Sequence, residues 1–300
     1  MKAASFDYIR PSHLEHALAL LAEHGDEAKL IAGGQSLVPM MAMRLARPAV
    51  LVDIFRLSEL KTVSFSAESI TLGAGLRQSD IEHNLNVCSQ LPLIGQALRW
   101  VGHQQTRNRG TLGGSLAFAD PSAELPLSAL VLNASLQLQS PESTRQVTAQ
   151  DFFLGPMFTA MSETECLTAI DWPVWQGRHI ASAFDETAIR QGDFAMASAA
   201  CQLQLNEEGQ VLRLSLGAGG VGGTPLVFPH LTAQLQGQKL TLDNAKELAH
   251  KAANECEPGS DMHAGAAYRT HLVAVLMTRV LMQAAQQASE QTASKNPMPQ

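Results

Sequence analysis

Two short segments carry the residue types that a phosphate ligand needs. Ala32-Gly33-Gly34-Gln35-Ser36-Leu37 and Leu112-Gly113-Gly114-Ser115-Leu116-Ala117 each pair two glycines with small polar residues at the end of an apolar or turn segment. Paired glycines permit positive φ and let backbone N–H groups come close to a ligand. Ser36 starts a helical pattern, whose first amides would be free to bind an anion. Lys29 and Arg109 stand beside these segments and could add positive field. One Gly-Gly by itself reads as a tight turn. Two of them, each followed by Ser, point to the diphosphate of a dinucleotide, with the tight-turn reading open beside it. Backbone donors would carry much of that load, because Lys and Arg number 21 against 28 Asp and Glu, a net charge of -7.

Other candidate chemistries are thinner. Gly217-Ala218-Gly219-Gly220-Val221-Gly222 satisfies G-x-G-x-x-G after a strand, but Thr224-Pro225 and Pro229 arrive where the dinucleotide fingerprint demands a helix. It reads as a strand-end loop. Gly113-Gly114-Ser115-Leu116-Ala117 nearly matches the nucleophile elbow G-x-S-x-G, with Ala in place of the last Gly and no strongly apolar strand before it. A serine hydrolase using Ser115 is therefore an alternative of low rank. Cys88, Cys166, Cys201 and Cys256 are far apart, which fits reduced thiols and supplies no local zinc or iron–sulfur motif. His13 and His16 share a helix face, but Ser12-His13-Leu14-Glu15 after Pro11 reads better as a capping box than as half of a metal site. No catalytic side chain and no metal ligand is assigned.

These segments need elements to hold them. The pattern predicts a helix over 12–24, a buried strand over 29–32, a helix over 36–46 and a strand over 49–53. A hairpin follows over 62–75, then helices at 77–85 and 92–105, a glycine-rich loop at 110–115, and strands at 134–139 and 166–172. After Gln176-Gly177-Arg178 the pattern changes to long antiparallel strands, 194–206 and 210–217, and then to helices at 241–255 and 265–288. The reading is a domain at 1–177, a smaller one at 178–290 and a polar tail at 291–300, both domains α+β. Hydrophobic residues make up 45% and charged residues only 16%, so a sizeable core is expected and extra surface buried against partners is favoured. No basic run suits nucleic acid, no apolar run suits a membrane span, and the N-terminus is no signal peptide. A cytoplasmic protein is expected.

Lys29-Leu30-Ile31-Ala32-Gly33-Gly34-Gln35-Ser36-Leu37-Val38-Pro39-Met40-Met41, taken with residues 103–126 (HQQTRNRGTLGGSLAFADPSAELP), resembles the FAD-binding medium subunit of molybdenum hydroxylases, relatives of xanthine dehydrogenase and carbon monoxide dehydrogenase. Arg190-Gln191-Gly192-Asp193-Phe194-Ala195, Gly219 to Pro225, and Pro258 to His263 with Tyr268-Arg269 are similar to later landmarks of that family, so the likeness runs through nearly the whole chain. The wording is most similar to subunits of N-heteroaromatic hydroxylases, such as those acting on quinoline or nicotine.

The resemblance implies a two-part FAD-binding domain of the vanillyl-alcohol-oxidase (p-cresol methylhydroxylase) type and a smaller C-terminal α+β domain. By motif position it implies FAD contacts from Lys29, Ala32, Gly33, Gly34, Gln35, Ser36 and Leu37, and from Thr111, Gly114, Ser115 and Ala117. Glu124 matches an acidic residue that binds FAD hydroxyls, and Leu167 and Phe194 match positions near the flavin ring, with core packing as their alternative. Phe118 stands where many relatives carry His, and Ser115 where many carry Asn. Asp185-Glu186 lies where relatives often place a Lys beside the flavin, which puts cationic assistance from that stretch in question. The implied function is electron transfer through FAD to an external acceptor. The molybdenum cofactor and two [2Fe–2S] clusters would sit on a large and a small partner subunit, in a dimer of heterotrimers. A stand-alone flavin or nucleotide carrier is the competing reading.

Overall fold

The computed structural model describes residues 2–293. The chain forms two compact units. The first comprises residues up to Asn84, His103–Asp120 and Asn133–Pro173, and the second comprises Leu85–Gly102, Pro121–Leu132 and the residues from Val174 onward.

In the first unit, Asp7–Ile9, Val50–Asp53 and Ala28–Ile31 form a parallel three-stranded sheet with Val50–Asp53 in the centre. Parallel strands need crossovers: Leu37–Ala42 lies on the connection from Ala28–Ile31 to its neighbour Val50–Asp53, and the helix Leu14–His24 leads from one edge strand, Asp7–Ile9, to the other, Ala28–Ile31. Its Leu14, Ala17, Leu18 and Leu21 recur at helical spacing and pack with Val50, Val52, Ile54 and Leu60. The cap of this helix is His13, not Ser12: the His13 ring nitrogen accepts from the His16 amide at 3.1 Å, and the Glu59 carboxylate takes the Leu14 amide at 2.8 Å. A second sheet, antiparallel and five-stranded, runs in the order Val63–Phe65, Ser69–Gly73, Cys166–Pro173, Ser135–Gln139, Thr144–Thr148. In Ser69–Gly73, Ser135–Gln139 and Cys166–Pro173 the alternation of buried and open positions is the period-2 signal that made the strands legible, whereas the exposed Thr144–Thr148 lacks it and is left unassigned by the sequence pattern. Arg145 pairs in bidentate fashion with the buried Glu165 at 2.6 and 2.8 Å, and that hydrogen bonding holds the Glu165 carboxyl below the usual carboxylate range.

In the second unit, Ile180–Thr187, Ala197–Leu205, Val211–Gly219 and Leu226–Val227 form an antiparallel sheet. Ala197, Ala199, Cys201 and Leu203 pack toward the helices Leu242–Asn254 and Ala266–Ala293. The opposite face meets the helices Pro92–Leu98 and Glu124–Val131, with Leu127 and Val131 against Gly217. Both faces are covered, so Ala197–Leu205 is buried almost throughout. Arg269, itself buried, donates to the Met196 carbonyl at 2.7 Å and pairs with Asp261 at 2.6 Å.

The α+β class holds, with local differences. The helix expected over 92–105 ends at Leu98, and a separate turn of helix occupies Gln104–Arg107; Gly102, at φ 47°, breaks the run. Glu124–Val131 is helical despite Pro126, which sits in the first turn where its missing N–H has no partner to lose. Ile180–Thr187 is a strand that the sequence pattern leaves unassigned. Helix continues to Ala293, and the rest of the expected tail, 294–300, lies outside the described residues. No helix among the described residues is long and apolar enough to cross a membrane.

Candidate functional site

The first glycine segment leaves the carboxyl end of the strand Ala28–Ile31 and enters the short helix Leu37–Ala42. Strand and helix point in different directions, and Gly34, at φ 72°, takes the conformation that turns one into the other. Among the described residues the amides of Gly34, Gln35, Ser36 and Leu37 have no acceptor within the chain, while Val38 and Met40 donate back to the Gly34 and Ser36 carbonyls. Four N–H groups are therefore available to an anion over four residues.

The second segment differs from the expected loop. Leu112–Phe118 is a helix capped by Thr111, whose Oγ1 accepts from the Gly114 amide at 3.0 Å. The Leu112 and Gly113 amides donate to the Leu76 and Ala74 carbonyls at 2.9 and 2.8 Å, and the Ser115 amide donates to the Thr111 carbonyl at 3.2 Å. These donors are spent. The free amides come from the first segment, and the second contributes small surface. Ser115 also lies within the helix and not on a strand-to-helix turn, which removes the elbow geometry that a nucleophilic serine requires.

Tertiary structure brings the two segments into contact. A Cβ on Gly33 would stand 2.2 Å from the Arg109 carbonyl oxygen and 2.8 Å from the Gly110 Cα, so only glycine allows this approach. A Cβ on Gly114 would meet Thr111 Oγ1 at 2.7 Å and the Ala32 methyl at 3.9 Å. The result is a narrow cradle whose walls are backbone, hydroxyl and methyl groups. Residues Ala32–Gln35 also line a cavity of about 430 Å³ together with Tyr8, Asp53, Phe55 and Arg109. It opens at the carboxyl ends of the parallel strands, the usual location of ligand sites on such sheets.

The other expected site residues distribute as follows. Lys29 is exposed on its strand opposite Leu51, and Gln35 is exposed with its side-chain amide donating to the Gly33 carbonyl at 3.1 Å. Ser36, Leu37, Ser115 and Ala117 are half-buried, and Thr111 is buried. Leu167 is buried in the strand Cys166–Pro173, beside a bulge in its pairing with Ser135–Gln139. Glu124 and Phe194 belong to the second unit. Glu124 is buried in the first turn of its helix, where the helix dipole favours a carboxylate, and Phe194 is 70% exposed.

Glu186, also in the second unit, is buried, and its Oε2 has no hydrogen-bond partner. Burial first, then the charges of Glu124 and Asp185, push its carboxyl up to about 9, so it is protonated at neutral pH. Across the strands it faces Ser198, whose buried Oγ is likewise unpartnered. Sequence reasoning missed this pair of unsatisfied polar groups, and also the convergence of Arg10, Arg56, Lys61 and Arg77 on Arg109. Neither has a local signal, because each depends on residues distant in sequence.

Residues 4–175 match the family described as the FAD binding domain in molybdopterin dehydrogenase, and residues 182–284 match the CO dehydrogenase flavoprotein C-terminal domain. The chain is 36% identical to the 6-hydroxypseudooxynicotine dehydrogenase complex subunit alpha of Paenarthrobacter nicotinovorans, covering 96% of this chain and 97% of that one. It is similar in structure to a chain of quinoline 2-oxidoreductase from Pseudomonas putida 86, with TM-score 0.91, 35% identity and coverage of 96% and 99%. Carbon monoxide dehydrogenase of Hydrogenophaga pseudoflava gives TM-score 0.92 at 32% identity, with the same coverage. Two family models that together cover residues 4–175 and 182–284, with relatives matched along nearly the whole chain, identify a member of the FAD-binding medium subunits of the molybdenum hydroxylases.

Proposed function

We propose that this chain is the electron-transfer subunit of a heteromeric hydroxylase. It would receive electrons from [2Fe–2S] clusters on a small partner subunit and pass them through FAD to an external acceptor. Substrate is hydroxylated at molybdenum on a large subunit, and the assembly is a dimer of heterotrimers in the cytoplasm. The observation that carries the reading is the contact of Gly33 with Arg109-Gly110 beside the unpaired amides of Gly34 to Leu37. Such a cradle fits a diphosphate, since the donors are fixed before the ligand arrives and no side chain crowds them. When bound, FAD takes up and releases electrons singly or in pairs, which matches one-electron clusters to a two-electron acceptor.

The chain's own residues then have positional roles. The amides of Gly34, Gln35, Ser36 and Leu37 hold the diphosphate, with Gly33 and Ala32 permitting its approach. Thr111 fixes the helix that presents Gly114, Ser115 and Ala117. Lys29 adds a solvent-screened positive charge, Glu124 accepts from cofactor hydroxyls, and Leu167 and Phe194 supply apolar surface for rings. The division at 1–177 and 178–290 is retained as the functional one. No side chain is assigned as acid or base.

The test is anaerobic stopped-flow at the flavin band, with heteroaromatic substrate added to the FAD-loaded chain alone and to the assembly with both partner subunits. Bleaching only in the assembly is the expected result. Substrate-driven bleaching of the isolated chain would reveal a catalytic site here and overturn the reading. A yellow chain that copurifies with no partner from its native host would overturn it in favour of a carrier.

A further inference from the structure

Arg10, Arg56, Lys61, Arg77 and Arg109 come from distant points of the sequence and line one cleft of the first unit, about 520 Å³ in volume, together with the half-buried ring of Phe55. Lys61 Nζ lies 5.2 Å from the ring centre, and the guanidinium carbons of Arg77 and Arg109 each lie 4.9 Å from it. The acid in the cleft is Asp53, and it is already engaged. It accepts from the Tyr8 hydroxyl, takes the Phe55 amide at 2.9 Å, and has Arg10 at 3.9 Å. Among the described residues Arg56, Lys61, Arg77 and Arg109 have no carboxylate within ion-pair distance.

Five positive groups and one negative leave the cleft at +4, in a chain whose net charge is -7. Like charges gathered in one place repel one another, and the ring offsets only part of that repulsion. An anionic surface laid against the cleft would remove the rest. The rim is open: Arg10, Arg56 and Arg109 are exposed, where an enclosed site for a small anion would bury its cations. It is also partly apolar. Tyr8 lines the cleft and is 50% exposed, and Val38, equally exposed, lines the adjoining cavity with it. Arginines beside an exposed tyrosine are the residues that protein contacts favour. A permanent subunit interface is larger and more apolar, whereas a transient redox contact is small, charged and steered by its field. This cleft has the second character.

We propose that this cation cleft docks the external electron acceptor, and that the acceptor is an acidic one-electron carrier protein; this rests on the electron-transfer role proposed for the chain. The arginines grip carboxylates of the carrier in bidentate fashion, and Lys61 adds a point charge. Their summed field speeds encounter, and screening by water at the open rim lets the carrier leave again. Each carrier takes one electron, so two dock in turn for each reduced flavin, whose two protons pass to water.

The probes are cytochrome c, a basic protein, and its succinylated form, in which lysines have become carboxylates around the same haem. With the FAD-loaded assembly and its substrate, the succinylated form should be reduced roughly tenfold faster than the basic one at low ionic strength. Raising KCl from about 0.05 to about 0.5 M should remove most of that advantage. Calorimetry should show the FAD-loaded chain binding the succinylated form and not the basic one. Arg10→Gln and Arg56→Gln, both at exposed positions, should each weaken that binding and raise its KM about threefold. Flavin content and the rate with a small neutral quinone should stay at wild-type values. Arg56→Glu should weaken the succinylated form further and speed the basic one. Equal handling of the two forms at low salt overturns the docking surface, as do variants that bind and reduce the succinylated form like wild type. Loss of flavin in the variants would assign the cleft to the cofactor, and loss of partner subunits would assign it to the assembly; either result also overturns it. Failure of substrate to bleach the flavin of the assembly would instead overturn the electron-transfer role, and the calorimetric titration then decides by itself whether an acidic protein docks.

Discussion

Replacing Gly33 with alanine adds one methyl group at the tightest point of the cradle. That Cβ would stand 2.2 Å from the Arg109 carbonyl oxygen, against about 3.4 Å for ordinary contact, so the two segments must part by about 1.2 Å. The obstacle is backbone, which cannot rotate away as a side chain would. Overpacking of this kind costs about 1–3 kcal/mol, or about 4 °C in Tm for a chain of this size. The ligand suffers more. Hydrogen bonds near 2.9 Å do not survive an added ångström. Losing two charge-assisted bonds costs about 3 kcal/mol, roughly two orders of magnitude in FAD affinity. Gly259→Ala is the control, since a Cβ there meets nothing within 4 Å. The assay is the ratio of flavin to protein absorbance after gel filtration, with far-ultraviolet circular dichroism to show that the variant is folded. A Gly33→Ala protein with full flavin content and unchanged Tm would refute the cradle geometry.

Thr111→Val removes the oxygen that caps the Gly114 amide and should cost about 1 kcal/mol, read by urea denaturation, with partial loss of flavin. Glu186→Gln should stabilise the protein above neutrality. The native carboxyl near 9 binds a proton that the unfolded chain, near 4.5, has lost, so wild-type stability falls as pH rises from about 4.5 to about 9. At pH 8 the effect is at most about 5 kcal/mol, and the FAD-free variant should show a flat profile over that window; a wild-type profile already flat there would refute the assignment. Arg269→Met leaves the Met196 carbonyl unpaired and should cost about 2 kcal/mol, measured as a lowered midpoint of denaturation. Lys29→Ala should weaken FAD retention slightly and only at low ionic strength, as its exposure implies; an effect that persists in high salt would argue for a direct, desolvated contact.

Much of this protein is legible from local pattern. Period-2 burial marks Ser69–Gly73, Ser135–Gln139 and Cys166–Pro173, and helical spacing of leucines marks Leu14–His24, because one buried face leaves its period in the sequence. The first glycine pair stands out for a related reason, as few other requirements place Gly-Gly-x-Ser after a strand. Ile180–Thr187 was not readable: it is buried on successive positions under helices from both sides, and so shows no alternation. Nor does sequence say which of two similar glycine segments keeps its amides. Thr111, Leu76 and Ala74 consume those of 112–114, and nothing among the described residues consumes those of 34–37. The cations that converge on Arg109 and the buried Glu186 facing Ser198 are also decided by tertiary structure. Charge and burial act through space, and residues from 10 to 109, or 124 to 198, become neighbours only when the chain has folded.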